Sequence, residues 1–92
     1  MYKKVHIHDK RDNVAVALED LKPGDKIKVN RNGAELEIEV KQEIPFGHKV
    51  ALERIQRGGE VIKYGETIGV ATEDIAEGEH VHIHNLRSLK YS

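Results

Sequence analysis

Six histidines occur in a chain of 92 residues, and five of them fall in two alternating runs. His6 and His8 sit in Val5-His6-Ile7-His8, and His80, His82 and His84 in His80-Val81-His82-Ile83-His84. Residues two apart on a strand project to the same face, so each run would place its imidazoles side by side with Val or Ile turned toward the core. Neutral imidazole is a ligand for Zn, Fe, Ni or Cu, and His82 with His84 is the pair such an ion would use. The C-terminal run has no acidic residue at ligand spacing. Three readings therefore stand side by side: a self-contained metal site, two solvated faces of amphipathic strands, or one wall of a site that another polypeptide completes. The sixth histidine lies in Ile44-Pro45-Phe46-Gly47-His48-Lys49-Val50. Pro45 and Gly47 predict a turn that presents His48 next to Lys49, a titratable group beside a cation, which suits a ligand bearing a carboxylate.

Short strands are needed to hold these groups. Nine Val and nine Ile against six Leu, with eight Gly spread through the chain, predict an all-β fold of short strands and tight turns. Lys26-Ile27-Lys28-Val29 and Leu36-Glu37-Ile38-Glu39-Val40 alternate apolar with charged residues around Asn32-Gly33, so 26–40 is a hairpin with one buried face. A second hairpin pairs 60–64 with 67–71 through Gly65-Glu66. Glu35, Glu37 and Glu39 fall on the outer face of the first hairpin as a solvated charge row. The chain also repeats a corner: Ala17–Gly24, Ala51–Gly58 and Ala71–Gly78 each carry Leu or Ile three residues before the Gly and an apolar residue three after it. These predict a helical or 3₁₀ turn plugged by Leu21, Ile55 or Ile75, ended by a left-handed Gly. Their unequal spacing excludes a solenoid.

The length allows one domain, 1–92. Without Cys there is no disulfide, zinc ribbon or thiol nucleophile. Fifteen Lys+Arg and sixteen Asp+Glu are interspersed to a net charge of −1, which argues against nucleic acid. No apolar run approaches the ~20 residues of a membrane span, and the start lacks a secretory pattern, so the expected location is the cytoplasm. Ser88 and Ser92 lack the context of an activated nucleophile, and no phosphate-binding glycine loop is present.

Three segments together resemble a family. They are Ile44–Leu52, then Val61–Thr72, then Gly78-Glu79-His80-Val81-His82-Ile83-His84-Asn85-Leu86; the opening Ile7-His8 and Asp12-Asn13-Val14-Ala15-Val16-Ala17 fits as well. They look like the N-terminal module of altronate and galactarate dehydratases, and are similar to the separate small subunit of sulfolactate sulfo-lyase. The resemblance implies a SAF domain, a small β-clip fold shared with antifreeze-like domains. It also implies a split enzyme: a small subunit working with a large catalytic subunit that holds iron or another divalent metal, with no cofactor in this chain alone. The implied reaction is β-elimination of water from a sugar acid. In that setting His48 and His82 are the expected proton-transfer residues, and His8, Asp12, Lys49 and Asn85 the substrate contacts. The chain would be a separately encoded subunit, with an N-terminal fragment of a longer enzyme as the alternative. A non-enzymatic β-clip module for carbohydrate or protein, and a homo-oligomer pairing its histidine faces, are the rival readings.

Overall fold

The computed structural model of the chain describes residues 1–89. It contains ten strands: β1 Tyr2–Lys3, β2 Val5–His6, β3 Val14–Ala17, β4 Lys26–Arg31, β5 Ala34–Glu39, β6 Lys49–Ala51, β7 Glu60–Lys63, β8 Glu66–Ala71, β9 His80–Val81 and β10 Leu86–Ser88. They form a four-stranded sheet β2-β3-β6-β9 between two three-stranded sheets, β1-β4-β5 and β10-β8-β7. The fold is all-β, as the Val/Ile composition predicts, with no helix among the described residues. Residues 90–92, and with them Ser92, lie outside the described part.

The four-stranded sheet is covered on both faces, which is why Val14-Ala15-Val16-Ala17 and Val50-Ala51-Leu52 are continuous apolar runs. Ala15, Ala17 and Val50 face one core with Leu21, Ile27, Ile38 and Ile44. Val14 and Ala51 face a second core with Ile55, Val61, Ile75 and Val81. Alternate residues of β3 and β6 thus serve opposite cores, and their alanines let the neighbouring sheets approach closely.

The hairpin over 26–40 has the expected register, Ile27 against Ile38 and Val29 against Leu36, around Asn32 and Gly33 at φ 52° and 84°. Both central residues lie in the left-handed region, which matches the twist of the flanking strands. The second hairpin turns one residue earlier than expected, at Tyr64-Gly65, and Glu66 already belongs to β8.

The corners are β-turns rather than helical or 3₁₀ turns. Asp25, Gly59 and Glu79 donate N–H to the carbonyls of Lys22, Gln56 and Ala76, each across one turn. Gly24, Gly58 and Gly78 hold φ 93°, 83° and 87° at the third position, where a type II turn requires a left-handed residue. A fourth copy, Pro45-Phe46-Gly47-His48, closes in the same way with His48 N–H on the Pro45 carbonyl. The plugs then pair as isolated bridges, Leu21 with Ile44 and Ile55 with Ile75. Reciprocal backbone bonds of 2.8 and 2.9 Å join the first pair, and two of 2.8 Å the second. Extended backbone at the plugs leaves no room for a helical turn.

Two corner glycines of similar φ separate backbone strain from crowding. A Cβ on Gly24 would meet nothing within 4 Å, whereas one on Gly78 would lie 2.1 Å from the Glu39 carbonyl oxygen. Gly24→Ala is expected to cost about 1 kcal/mol, the left-handed penalty alone, and Gly78→Ala about 2–3 kcal/mol because backbone must also move. Urea unfolding of the two variants checks the difference.

Candidate functional site

Two corners deliver the imidazoles. The turn Pro45–His48 leads into β6 and the turn ending at Glu79 leads into β9, and these strands pair with Lys49 opposite Val81 and Val50 opposite His80. His48 and His80 therefore emerge side by side. The His48 Nδ1 and His80 Nε2 atoms lie 2.9 Å apart, so one carries the hydrogen and the other accepts it. His82 stacks on His48 with ring centroids 4.0 Å apart. One ring nitrogen from each of His48, His80 and His82 falls within 4.8 Å of the other two.

Asn85 fixes the approach of His82. Its Oδ1 accepts the His82 N–H at 2.9 Å and its Nδ2 donates to the His80 carbonyl at 2.8 Å. This ends β9 at Val81 and replaces the expected five-residue strand by a turn. Alternation stops there: Val81 is buried, but Ile83 is 84% exposed rather than in the core. His84 is exposed and outside the three-nitrogen group, its ring 5.0 Å from that of His80. Of the expected pair His82 and His84, only His82 joins the group of close ring nitrogens, which it forms with His48 and His80. Three imidazoles of this kind fit a borderline divalent ion by donor type.

The other histidine run lies elsewhere. β2 and β9 are opposite edges of the four-stranded sheet, with β3 and β6 between them, so the two runs do not meet as one row. His6 and His8 contact each other, and His8 stacks on Tyr64 at 4.1 Å. Lys63 connects the two groups electrically, since its charge acts on both His8 and Lys49.

Asp12 and Asn85 are 0% and 5% exposed, so both are scaffold and neither offers a free polar edge to a ligand. The Asp12 carboxylate accepts backbone N–H bonds from Asp9, Tyr64 and Gly65 at 3.1, 3.1 and 2.8 Å. It thereby holds Tyr64 at φ 60°, a left-handed conformation rare for an aromatic residue, and sets the ring against which His8 stacks. Asn13 ties the same region to β7, donating to the Glu60 carbonyl at 2.9 Å and accepting the Ile62 N–H at 2.8 Å. Spacing placed His80 in its run without assigning it a role, and it missed Tyr64 and Asn13.

Burial and neighbouring cationic groups favour the neutral form of these imidazoles. Burial, then the neighbouring His84, His48, His82 and Lys49, push His80 down to about 4. His82 is lowered by burial and then by His48, Lys49 and His84. Lys49 is lowered by burial and then by Lys63. His8 is lowered by burial, His6 and Lys63, with Asp12 opposing. None of the groups that lower His80, His82 and Lys49 is a carboxylate. The concavities lined by Arg57, Val70 and Arg87 (about 390 Å³) and by Lys63, Tyr64 and Ile68 (about 460 Å³) contain none of the clustered imidazoles. The three clustered imidazoles are each partly exposed.

A pH dependence of stability follows. The folded chain holds His80 near 4, whereas an unfolded imidazole titrates at about 6.5. Between these values only the unfolded chain takes up the proton, so acidification favours unfolding. In the metal-free chain, stability is expected to be complete above the window and to fall as pH drops through it, with His82 and His8 adding in the same direction. Urea midpoints in the presence of a chelator check this; His80→Gln should flatten the profile.

Comparison with known proteins agrees with this architecture. Residues 2–89 match the family model described as the altronate/galactarate dehydratase SAF domain. The chain is 42% identical to altronate dehydratase of Bacillus subtilis over 84 residues, 91% of this chain and 16% of that protein. It is 47% identical to altronate dehydratase of Escherichia coli over 87 residues, 95% of this chain and again 16% of the relative. The (2R)-sulfolactate sulfo-lyase subunit alpha of Chromohalobacter salexigens is 36% identical over 88 residues, 92% of this chain and 94% of that subunit. The chain thus spans a small part of the dehydratases and nearly the whole of the lyase subunit. With its ten short strands in three sheets and its match from Tyr2 to Leu89, the chain belongs to the SAF-domain family of altronate and galactarate dehydratases.

Proposed function

We propose that this chain is the small subunit, or the N-terminal module, of a sugar-acid dehydratase of altronate or galactarate type, and that its imidazole face forms one wall of the active site. The remaining walls belong to a larger catalytic body. The observation that carries this reading is the convergence of His48, His80 and His82, each partly exposed, with Lys49 near enough for its charge to act on His80 and His82. Small-molecule sites are concave, and a partly exposed set of convergent polar groups needs a second surface to become one. The relatives supply a precedent for both arrangements, since this chain aligns with a fraction of the altronate dehydratases and with a separate subunit alpha.

The reaction is loss of water from a 2,3-dihydroxy acid. A base removes the proton beside the carboxylate, hydroxide leaves the neighbouring carbon, and the enol becomes a keto-deoxy acid. An iron or other divalent ion in the larger body would stabilise the charge that develops on the substrate carboxylate. This chain's residues bind and move protons. Lys49 pairs with the substrate carboxylate, and burial ahead of Lys63's charge shifts it downward without a competing carboxylate partner. His82, kept neutral near pH 7 by its lowered affinity for protons, can accept one. His48 can pass a proton along its contact with His80. His8, stacked on Tyr64, borders the same cationic face through Lys63.

Reconstitution tests the reading. A catalytic dehydratase body lacking its SAF region is assayed against altronate, galactarate and (2R)-sulfolactate with and without this chain. Turnover that rises and saturates with added chain supports the proposal; turnover indifferent to it defeats the proposal. In the active complex, Lys49→Met is expected to raise KM about 10- to 100-fold with a smaller change in kcat, as loss of one charge-assisted contact does. Steady-state kinetics check this split.

A further inference from the structure

The His82 Nδ1 atom is buried and has no hydrogen-bond partner among the described residues. A buried polar atom left unpaired costs free energy and calls for an explanation, an ion or water being the usual one. Beside it, His48 and His80 turn ring nitrogens toward each other at 2.9 Å, and the three side chains offer one nitrogen each within 4.8 Å. A divalent ion holds imidazole nitrogens at about 2.0–2.1 Å, so two nitrogens on one ion stand about 2.8–3.4 Å apart at angles between octahedral and tetrahedral. The His48–His80 pair, joined by a hydrogen bond of 2.9 Å, would lose its shared hydrogen in favour of the ion, and His82 would bring in the third nitrogen from within 4.8 Å.

We infer that His48, His80 and His82 bind one divalent first-row transition ion, Zn²⁺, Fe²⁺, Co²⁺ or Ni²⁺, on this chain alone. The donor set selects this class. Three imidazoles without thiolate suit borderline ions, while Mg²⁺ and Ca²⁺ require oxygen donors. Three neutral ligands leave the ion its full charge and at least one open position, and Lys49 lies close enough to act on His80 and His82. Both facts favour an anionic oxygen in the open position, a hydroxide or a substrate carboxylate. A nitrogen bound to the ion carries no proton, so loading the site takes His48 and His82 out of proton transfer. The inference concerns binding to this chain; a bound ion would replace the proton-transfer roles of His48 and His82, while the wall formed by this face and the carboxylate contact of Lys49 stand with or without it.

The test uses the 92-residue chain without a histidine tag, titrated with Co²⁺ or Zn²⁺ and followed by calorimetry and, for Co²⁺, by absorption. One equivalent is expected per chain. His48→Ala, His80→Ala and His82→Ala should each weaken binding about 100-fold, the upper range even for loss of a partner behind a ligand. His6→Ala and His84→Ala should leave it unchanged. Ring-nitrogen NMR of the unsubstituted chain removes any question of misfolded variants, since Zn²⁺ should move the resonances of His48, His80 and His82. Absence of stoichiometric binding, binding that survives His48→Ala and His82→Ala, or shifts confined to His6, His8 and His84 would overturn the site.

Discussion

His82→Ala and His48→Ala, introduced into the reconstituted dehydratase, are each expected to lower kcat by about 10²–10⁴-fold, the range for loss of a positioned acid or base. His82 is the stronger case, because its lowered proton affinity keeps it a free base near neutral pH and its stack on His48 holds the ring in place. KM should change less, since the substrate carboxylate is assigned to Lys49 and not to an imidazole. The double variant should lose little more than the worse single one, as residues acting as a unit are not additive. Unchanged kcat and KM in both single variants would remove these residues from the chemistry. His6→Ala is the comparison for nonspecific loss of charge, because His6 lies on β2 at the opposite edge of the sheet from β9.

Much of this face was legible in the spacing of residues, and the misses have local causes. Lys26–Val40 was readable because alternation and Asn-Gly act over neighbouring residues, where one-residue slips would expose Ile27 and Ile38. The corner device was readable from Gly and its flanking apolar residues, and Ile44-Pro45-Phe46-Gly47 with Val50 keeps that pattern, so the turn expected at Pro45 and Gly47 is a fourth copy of it, lacking the Ala that opens the other three. At 80–84 alternation misled. Nothing in His-Val-His-Ile-His announces that a side chain three residues beyond His82 will cap its N–H, and only Asn85 as a turn former hints at it. Whether the two histidine runs meet is not written in their spacing, because strand order in a sheet is set by long-range pairing. The interposed β3 and β6 put them at opposite edges. His48 joined His80 for the same nonlocal reason, a pairing of β6 with β9 that no local pattern records.

Asp12→Ala is the second large effect, and it falls on stability. The variant deprives three backbone N–H groups, those of Asp9, Tyr64 and Gly65, of a buried carboxylate acceptor. Hydrogen bonds to a charged group contribute about 1.5–3 kcal/mol each, and because they share one side chain the total loss is expected at about 3–5 kcal/mol. That is a large part of the ~5–15 kcal/mol by which such domains are stable. Asp12→Asn keeps the volume and one acceptor oxygen and should fall between. Denaturant unfolding monitored by circular dichroism gives both values. An Asp12→Ala chain as stable as the parent would mean that Tyr64 holds its left-handed turn without the carboxylate. The same change should free Tyr64 and with it His8.

The account rests on one face of a small β-clip being completed by a larger protein. Hydrogen exchange of this chain with and without the catalytic body tests that most directly. The account predicts protection at His48–Ala51, at His80–Asn85 and around Tyr64, with the outer face of the β4–β5 hairpin unchanged. Protection confined to that hairpin, with the imidazole face exchanging as in the free chain, would contradict it.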